Sequence, residues 1–204
     1  MKAWHFISPD RWLRHGDNRK VKVGRTYRAT GKVELGVNGM HGSVNIIDAL
    51  KYASGPICCR VDITGDLSVD SDKIAGRSRK VLWMVDATSV LHEFACRCAE
   101  DALTLICNPD PLSIAAIKSK RDWLAGKIND EELYAAWYAT CCPAQSAVQS
   151  LPQSVARDLA HAAAQSVAQD AANDVVWYAA WYAGTKRKQR NRLTAMVCSA
   201  RKEK

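Results

Sequence analysis

The sequence lacks the short motifs by which many enzymes are recognised. No P-loop and no G-x-G-x-x-G occurs in its 204 residues, which argues against an ordinary nucleotide-hydrolysing enzyme. No G-x-S-x-G occurs either, which argues against a serine hydrolase. No stretch approaches the ~20 apolar residues of a membrane span, and the opening MKAWHFISPDRW has no apolar core typical of a secretory signal. We therefore expect a cytoplasmic protein that does not engage a membrane.

Eight cysteines are present, but no two are spaced as C-x-x-C. The adjacent pairs Cys58–Cys59 and Cys141–Cys142 are poor disulfide partners, because neighbouring side chains point apart in strands and helices. The nearest group to a metal box has spacing unlike that of structural zinc sites; it consists of His92, Cys96, Cys98 and Cys107. We therefore expect reduced thiols, most of them packed as small apolar side chains, and no bound metal.

Charge is spread unevenly along the chain. Residues 1–86 hold fifteen Lys or Arg against nine Asp or Glu, residues 87–184 hold six against eleven, and residues 185–204 hold eight against one. The acidic middle is thus flanked by basic segments. Basic segments of this kind bind phosphates or fold back on acidic surfaces of the same chain.

The pattern of the first 87 residues predicts a small β-rich domain with one helix. AWHFI, ICCRVDITGDL and VLWMVDA are apolar or alternating runs typical of strands, and residues 19–35 read as strand, glycine turn, strand. Ser43 has the character of an N-cap for a helix that ends before Gly55-Pro56. SVDSDKIAGRSRK is predicted to be a polar loop.

From about residue 88 the pattern becomes helical. Apolar residues recur at helical spacing in three segments, which are separated by Asn108-Pro109-Asp110-Pro111, Gly126 and Pro143. The run 155–183 is alanine-rich, and the pentapeptide AAWYA occurs at both 135–139 and 179–183. We expect residues 88–184 to form an antiparallel helical bundle with a tryptophan-filled seam, and residues 185–204 to form a basic C-terminal helix. The same tryptophan-alanine helices could instead mediate assembly of several copies, or stack on nucleic-acid bases.

Several of these segments resemble known families. AWHF at 3–6, GMHGSVNIIDALKYASG at 39–55, CRVDITGDL at 59–67 and DKIAGRSRKVLWM at 72–84 resemble a family of small domains common in phages and prophages that has no assigned activity. LHEFACRCAEDAL, NPDPLSIAAI, AGKINDEEL and the alanine-tryptophan run resemble an alanine-rich helical domain labelled an immunity protein. The resemblance implies an accessory protein of a mobile element, acting in the host cytoplasm if a phage encodes it.

A second resemblance concerns the order of elements. A strand with a histidine, a glycine turn, a helix and a further strand are similar in order to the ADP-ribosyltransferase fold. This resemblance implies an alternative in which NAD is the cofactor, His5 grips its ribose, and Ser43 and Tyr52 line the pocket. Asp62 or Asp86 would then orient the acceptor. The simpler interpretation makes His5 a buried, hydrogen-bonded residue, His41 a cap of its glycine-rich turn, and Ser43 a helix cap.

The basic residues near the front of the chain favour a binding function. Seven lie within eighteen residues, and Arg60, Arg77, Arg79 and Lys80 follow in the predicted sheet. Trp12 and Tyr27 are available to stack on bases. We predict that an anionic partner is bound by Arg19, Lys20, Lys22, Arg25 and Arg28, and by Lys186, Arg187, Lys188 and Arg190 of the tail. His41, Tyr52 and Arg60 are predicted ligand contacts.

The resulting expectation is an α+β protein: a β-rich domain at 1–87, a helical bundle at 88–184 and a basic helix at 185–204. Its predicted function is that of a phage-type accessory protein, in one version a counter-defence factor. It acts without a cofactor by binding nucleic acid, a signalling nucleotide or an acidic host protein. The alternatives are the NAD-dependent enzyme, with His5, Ser43 and Asp62 as its catalytic residues, and a protein that assembles with itself.

Overall fold

The computed structural model describes residues 1–14, 17–104, 107–109, 111–141 and 186–203. These residues form a mixed α+β structure, so the predicted fold class is confirmed at that level. The chain divides into two compact units. One comprises Met1–Thr88 and Leu193–Lys204, and the other comprises Ser89–Arg192. We call them the sheet unit and the helical unit.

The sheet unit contains seven strands and one short helix. In chain order these are β1 (Lys2–Ile7), β2 (Thr26–Arg28), β3 (Met40–Gly42), α1 (Ile46–Leu50), β4 (Ile57–Thr64), β5 (Ser68–Val69), β6 (Ile74–Gly76) and β7 (Ser78–Asp86). Four strands form an antiparallel sheet in the order β1-β4-β7-β2, and three form a small sheet in the order β3-β6-β5. The two sheets meet where Ser43, just after β3, exchanges backbone hydrogen bonds with Trp4 in β1.

Alternating side chains decide what each face of the larger sheet contacts. The predicted strands at AWHFI, ICCRVDIT and VLWMVDA are confirmed as β1, β4 and part of β7. One face forms the main core, which contains Ala3, Ile7, Tyr27, Ile57, Cys59, Val61, Ile63 and Val81 together with Met40 and Ile74 of the small sheet. A bulge between Arg60 and Val61 shifts the register of β4 against β7. The opposite face carries Trp4 and Trp83, whose rings lie 5.7 Å apart edge to face.

Three local predictions are wrong. Ser43 does not cap a helix, because its backbone is already paired with Trp4 and the helix starts three residues later at Ile46. The strand pair predicted at 19–35 is reduced to β2, and the preceding residues form turns. The polar run predicted as a loop contains β5, β6 and the start of β7. Gly76, the last residue of β6, packs closely against β4: a Cβ at this position would lie 2.5 Å from Ile63 Cγ2.

The described part of the helical unit contains α2 (Thr88–Leu103, whose first residue belongs to the sheet unit), α3 (Pro111–Leu124) and α4 (Asp130–Cys141). These three helices confirm the helical character predicted from residue 88. The last helix, α5 (Lys186–Lys202), confirms the predicted basic helix, and its residues from Leu193 onward group with the sheet unit. The alanine-rich run 155–183 and the second AAWYA copy lie outside the described residues. None of the helices among the described residues is both long and apolar enough to span a bilayer.

Candidate anion-binding site

Tyr27 organises the basic segment that precedes it. Its ring is buried in the core of the sheet unit. Its hydroxyl accepts a hydrogen bond from the backbone N–H of Lys22 and donates one to the backbone carbonyl of Lys20, both at 2.7 Å. The guanidinium carbons of Arg19 and Arg25 each lie 5.6 Å from the centre of the same ring. One core side chain therefore fixes the positions of four of the predicted cationic residues.

Four of the predicted cations are exposed and available to a partner. Among the described residues, no carboxylate forms an ion pair with Lys20, Lys22, Arg25 or Arg28. Trp12 lies beside them, 43% exposed, with the ammonium of Lys20 at 6.0 Å from its ring centre. We call this group of four cations and Trp12 the basic surface. It combines positive charge with an accessible aromatic face, which is the combination that binds single-stranded nucleic acid.

Arg19 differs from its neighbours because its charge is already compensated. It donates two side-chain hydrogen bonds to Asp17, from Nε at 2.8 Å and from Nη2 at 2.6 Å. Nη2 also contacts the backbone carbonyl of Arg28. The hydrogen bonds from Arg19 lower the pKa of Asp17, so the pair stays ionised near neutral pH. The structure thus places Arg19 beside the basic surface, where it stabilises the segment.

The predicted cations of the C-terminal helix also include both an ion-paired residue and a solvent-exposed one. Lys188 pairs with Asp101 at 3.3 Å, and Arg192, which the sequence prediction did not include, contacts the same carboxylate at 2.8 Å. Arg187 is exposed, while Arg190 is half-buried. Lys186 begins α5. Asp101 thus compensates part of the charge that the sequence alone assigns to a partner.

Arg79 is a functional candidate whose environment sequence reasoning missed. Its closeness in sequence to Arg77 and Lys80 predicts a cation of the sheet that attracts phosphates. In the structure it is only 3% exposed and pairs across the sheet with Ile63 and Tyr27. Its Nη1 donates to the backbone carbonyl of His41 at 2.7 Å, whereas its Nε has no partner among the described residues. Burial lowers the pKa of Arg79 to about 10, so the guanidinium remains charged at neutral pH.

Two histidines lie close enough to Arg79 to sense its charge. Burial, followed by the charge of Arg79, lowers the pKa of His5 well below its usual value. His5 nevertheless remains partly exposed. The same two causes, in the same order, lower the pKa of His41. His41 Nε2 accepts a hydrogen bond from the backbone N–H of Gly36 at 3.1 Å, so its neutral ring holds the turn that precedes β3.

The proposed catalytic residues converge only in part: Ser43 pairs with Trp4, the chain neighbour of His5, whereas Asp62 is on the opposite face of the sheet. His5 projects from the core face of the sheet, because it pairs with Cys59. Asp62 projects from the opposite face and is held by Lys2 at 3.0 Å and by the amino group of Met1 at 3.1 Å. Ser43 is 1% exposed and its backbone is paired with Trp4. Asp86, the other acid considered, accepts hydrogen bonds from the backbone and hydroxyl of Thr88 at the start of α2.

The predicted ligand contacts are also dispersed. The Tyr52 hydroxyl donates to Asp72 at 3.0 Å, and burial with this hydrogen bond raises the pKa of Tyr52 to about 12. Arg60 lies on the opposite face from His5, with its guanidinium carbon 4.5 Å from the ring centre of Trp4. His41 occupies the small sheet. The structure therefore does not bring these three residues together.

Six cysteines are free thiols: Cys58, Cys59, Cys96, Cys98, Cys107 and Cys198. Cys58, Cys59, Cys96 and Cys98 are buried, and burial raises the pKa of each. Cys98 Sγ donates a hydrogen bond to Gln189 Oε1 at 3.3 Å. Within the ranges that the structure describes, no three His, Cys, Asp or Glu side chains gather as metal ligands would.

Comparison with family models, with curated proteins and with solved structures finds no match to this chain. Functional inference therefore depends on the charges, contacts and burial described above.

Proposed function

We propose that this protein acts by binding an anionic partner through the basic surface of its sheet unit, and that the partner is a single-stranded nucleic acid. The observation that carries the proposal is the arrangement around Tyr27. A buried ring fixes a segment whose exposed cations have no carboxylate partners among the described residues. Phosphates release counterions when they meet such cations, and this release supplies sequence-independent affinity.

The indole of Trp12 favours single strands over other anions. An exposed tryptophan next to a lysine offers a stacking surface for a base and a charge for the adjacent phosphate. In a duplex the bases are already stacked on one another and cannot use this surface. An acidic protein or a signalling nucleotide would use the charges, and either one is an alternative outcome of the test. The cytoplasmic location and the counter-defence role expected from the phage-type resemblance belong to the same proposal.

The test measures binding of a labelled single strand of about 20 nucleotides, longer than a site of ~4–16 nucleotides, by fluorescence anisotropy at several salt concentrations. The variant Lys20→Gln/Lys22→Gln should weaken binding by roughly tenfold. It should also reduce the slope of log affinity against log salt by ~1.4, because two phosphate contacts are lost at ~0.7 each. Trp12→Ala should weaken binding of the single strand more than binding of a duplex of the same length.

The matched control is Lys118→Gln/Lys127→Gln. These two lysines are exposed, lie in the helical unit and both pair with Asp122. The control lowers the formal charge by two, as the test variant does, so it separates a local surface from the effect of net charge. If both double variants bind alike, or if the affinity does not depend on salt, the basic surface is not the binding site. Binding of an acidic protein in place of the oligonucleotide would contradict the choice of nucleic acid.

A second proposal concerns the helical unit. We infer that the alanine-rich run completes an antiparallel bundle with α2, α3 and α4, and that an aromatic face of α4 joins copies of the chain. On that face Tyr134 and Trp137 lie 4.8 Å apart, and the Tyr134 ring is 55% exposed. Light scattering should then give a mass above that of one chain, which Tyr134→Ser should lower. A monomeric wild type would contradict the inference.

A further inference from the structure

Arg79 is a buried charge that the described residues satisfy only in part. Its side chain is 3% exposed, and one of its hydrogen bonds, from Nη1 to the His41 carbonyl, is present. Nε is buried and has no acceptor among the described residues. A buried polar group without a partner is costly, and a charged one more so. Natural structures retain such a group where a ligand completes it or where it serves another role.

The unsatisfied atom lies on the edge of the guanidinium that recognises oxyanions. Arginine binds carboxylate and phosphate groups through two parallel N–H donors, and Nε supplies one of them when the Nε–Nη2 edge is used. Nη1, the donor on the other side, is occupied by the His41 carbonyl. This hydrogen bond orients the guanidinium, and Nε, which is itself buried, keeps a donor without an acceptor among the described residues. The side chain is therefore held in place before any ligand arrives.

The charged groups around Arg79 do not supply the missing acceptor. Asp17 is the carboxylate whose charge acts on Arg79, but its two oxygens accept hydrogen bonds from Arg19. Cys59 is a buried thiol whose pKa is raised, so it is neutral at pH 7. The other groups whose charge couples to Arg79 are Arg19, His5, His41 and Tyr27. The surroundings of the guanidinium are therefore short of negative charge.

We propose that Arg79 binds one oxyanion, a phosphate or carboxylate group, through its Nε edge on the core face of the sheet. His5, which lies on the same face in β1, is half-buried. This site is separate from the basic surface, since its key residue is buried and its partner is a single anionic group. The inference does not depend on the proposed function.

The test uses the full chain labelled with ¹⁵N and follows the Nε–H signals of its arginines by NMR. Sodium phosphate is added in one series and sodium acetate in another, at constant ionic strength. We expect the Arg79 signal to shift in a saturable way with at least one of the two anions, and the responding anion identifies the ligand class. Bound anion should also raise the pKa of the His5 ring, because negative charge favours the imidazolium form.

The matched variants are Arg79→Lys and Arg77→Lys; Arg77 lies two residues earlier, in the bend between β6 and β7. Arg77 pairs with Asp66 at 2.5 Å, so its substitution leaves the proposed site intact. Arg79→Lys should weaken anion binding by about tenfold, since it removes a charge-assisted hydrogen bond, and Arg77→Lys should not. If Arg79→Lys does not fold, the wild-type titration still decides the question. A wild-type Arg79 signal that ignores both anions, or shifts without saturating, would overturn the proposal.

The two binding proposals can fail separately. Lys20→Gln/Lys22→Gln should weaken oligonucleotide binding and retain the saturable response of the Arg79 signal. Arg79→Lys should lose the response to phosphate or acetate. If Lys20→Gln/Lys22→Gln abolishes both oligonucleotide binding and the response of the Arg79 signal, the two sites are one. Arg79 would then contact a phosphate of the oligonucleotide that the basic surface binds, and a separate anion site is excluded.

Discussion

Arg121 in the helical unit contacts two carboxylates, whereas Arg25 in the sheet unit contacts none among the described residues. Arg121 on α3 donates hydrogen bonds to Glu93 and Glu100 of α2. These interactions raise its pKa further above the ordinary arginine value. Arg25 lies over the ring of Tyr27 and is exposed to solvent. Both side chains carry the same charge at every physiological pH.

The difference shows that charge composition alone does not identify a binding surface. In the helical unit, Asp122 and Asp101 also take up cations, from Lys118 and Lys127 and from Lys188 and Arg192. The Asp101 pairs connect α2 to α5, whereas the Asp122 pairs lie within α3 and the turn that follows it. In the sheet unit, by contrast, Lys20, Lys22, Arg25 and Arg28 form no ion pair with a carboxylate among the described residues. We therefore interpret compensated cations as structural and uncompensated ones as functional, and the predictions below test this distinction.

The largest expected effect is the acid sensitivity of the helical unit. His92 on α2 is 6% exposed and lies edge-on to Trp123. Burial, with a smaller effect of Lys120, lowers its pKa to about 4. Between pH 6.5 and 4 the unfolded chain binds a proton at this residue that the folded chain does not, so the free energy of unfolding falls as the pH falls. The loss should reach ~3 kcal/mol by pH 4.

Urea unfolding at pH 7 and pH 4, followed by circular dichroism, measures this loss. His92→Gln cannot take up the proton, so its stability should fall by ~3 kcal/mol less than that of the wild type over the same interval. An equal fall in both proteins would show that His92 is not the buried neutral group. The same urea measurements on His5→Gln would show whether protonation of His5 destabilises the sheet unit at low pH.

The next effect compares the two arginines directly. Arg121→Met should reduce the free energy of unfolding by about 2 kcal/mol, because Glu100 loses its ion-pair partner and Glu93 keeps only Arg97. Arg25→Met should change it by less than about 0.5 kcal/mol, as exposed substitutions usually do. Urea denaturation at neutral pH measures both values. Equal losses in the two variants would contradict the distinction between structural and functional cations.

A smaller effect is expected from the hydroxyl of Tyr27. Tyr27→Phe removes hydrogen bonds to the backbone of Lys20 and Lys22, and should cost about 1 kcal/mol of stability. It should also weaken oligonucleotide binding severalfold, since the cations lose their fixed positions. The control is Tyr52→Phe, whose hydroxyl contacts Asp72 at the surface. Its binding should equal that of the wild type; weaker binding in the control would show that Tyr27 has no special role.

The smallest effect concerns Arg19. Asp17→Asn removes the carboxylate that compensates this arginine, so Arg19 should join the basic surface. Oligonucleotide affinity should rise a fewfold, and the salt slope should steepen by ~0.7. Asp66→Asn, which removes the partner of exposed Arg77, changes the net charge equally and should have a weaker effect. Lower affinity in Asp17→Asn would mean that the ion pair is needed to hold the segment.

The elements that the sequence predicts best are those whose residue pattern matches the faces they bury in the folded protein. The alternation in β4 follows directly from a strand with one face in the core. β5 and β6 were missed because short strands pair through their backbone and need no apolar pattern. Ser43 was misassigned for a related reason: its backbone pairs with Trp4, which is distant in sequence. Local propensity contains no information on either pairing.

The candidate site was predictable in composition but not in detail. The cluster of cations at 19–28 is visible in the sequence, and the segment does expose most of them. Which of them is compensated depends on turns that place Asp17 beside Arg19. The burial of Arg79 depends on its register opposite Ile63 and Tyr27. Strand register is a property of the assembled sheet, so a flanking serine and lysine gave no indication of it.

The last helix has a consequence for how the protein is made. Leu193 and Val197 are fully buried, and the Arg201 guanidinium lies 5.0 Å from the Trp83 ring, so the sheet unit is completed by residues near the end of the chain. Residues 89–192 must be synthesised in between, which takes ~5–20 s at ~5–20 residues per second. During this interval the nascent sheet has uncovered apolar surface and is a substrate for chaperones. A fragment that stops at residue 88 would remain in that state permanently, and should aggregate unless the terminal segment is supplied as a separate peptide.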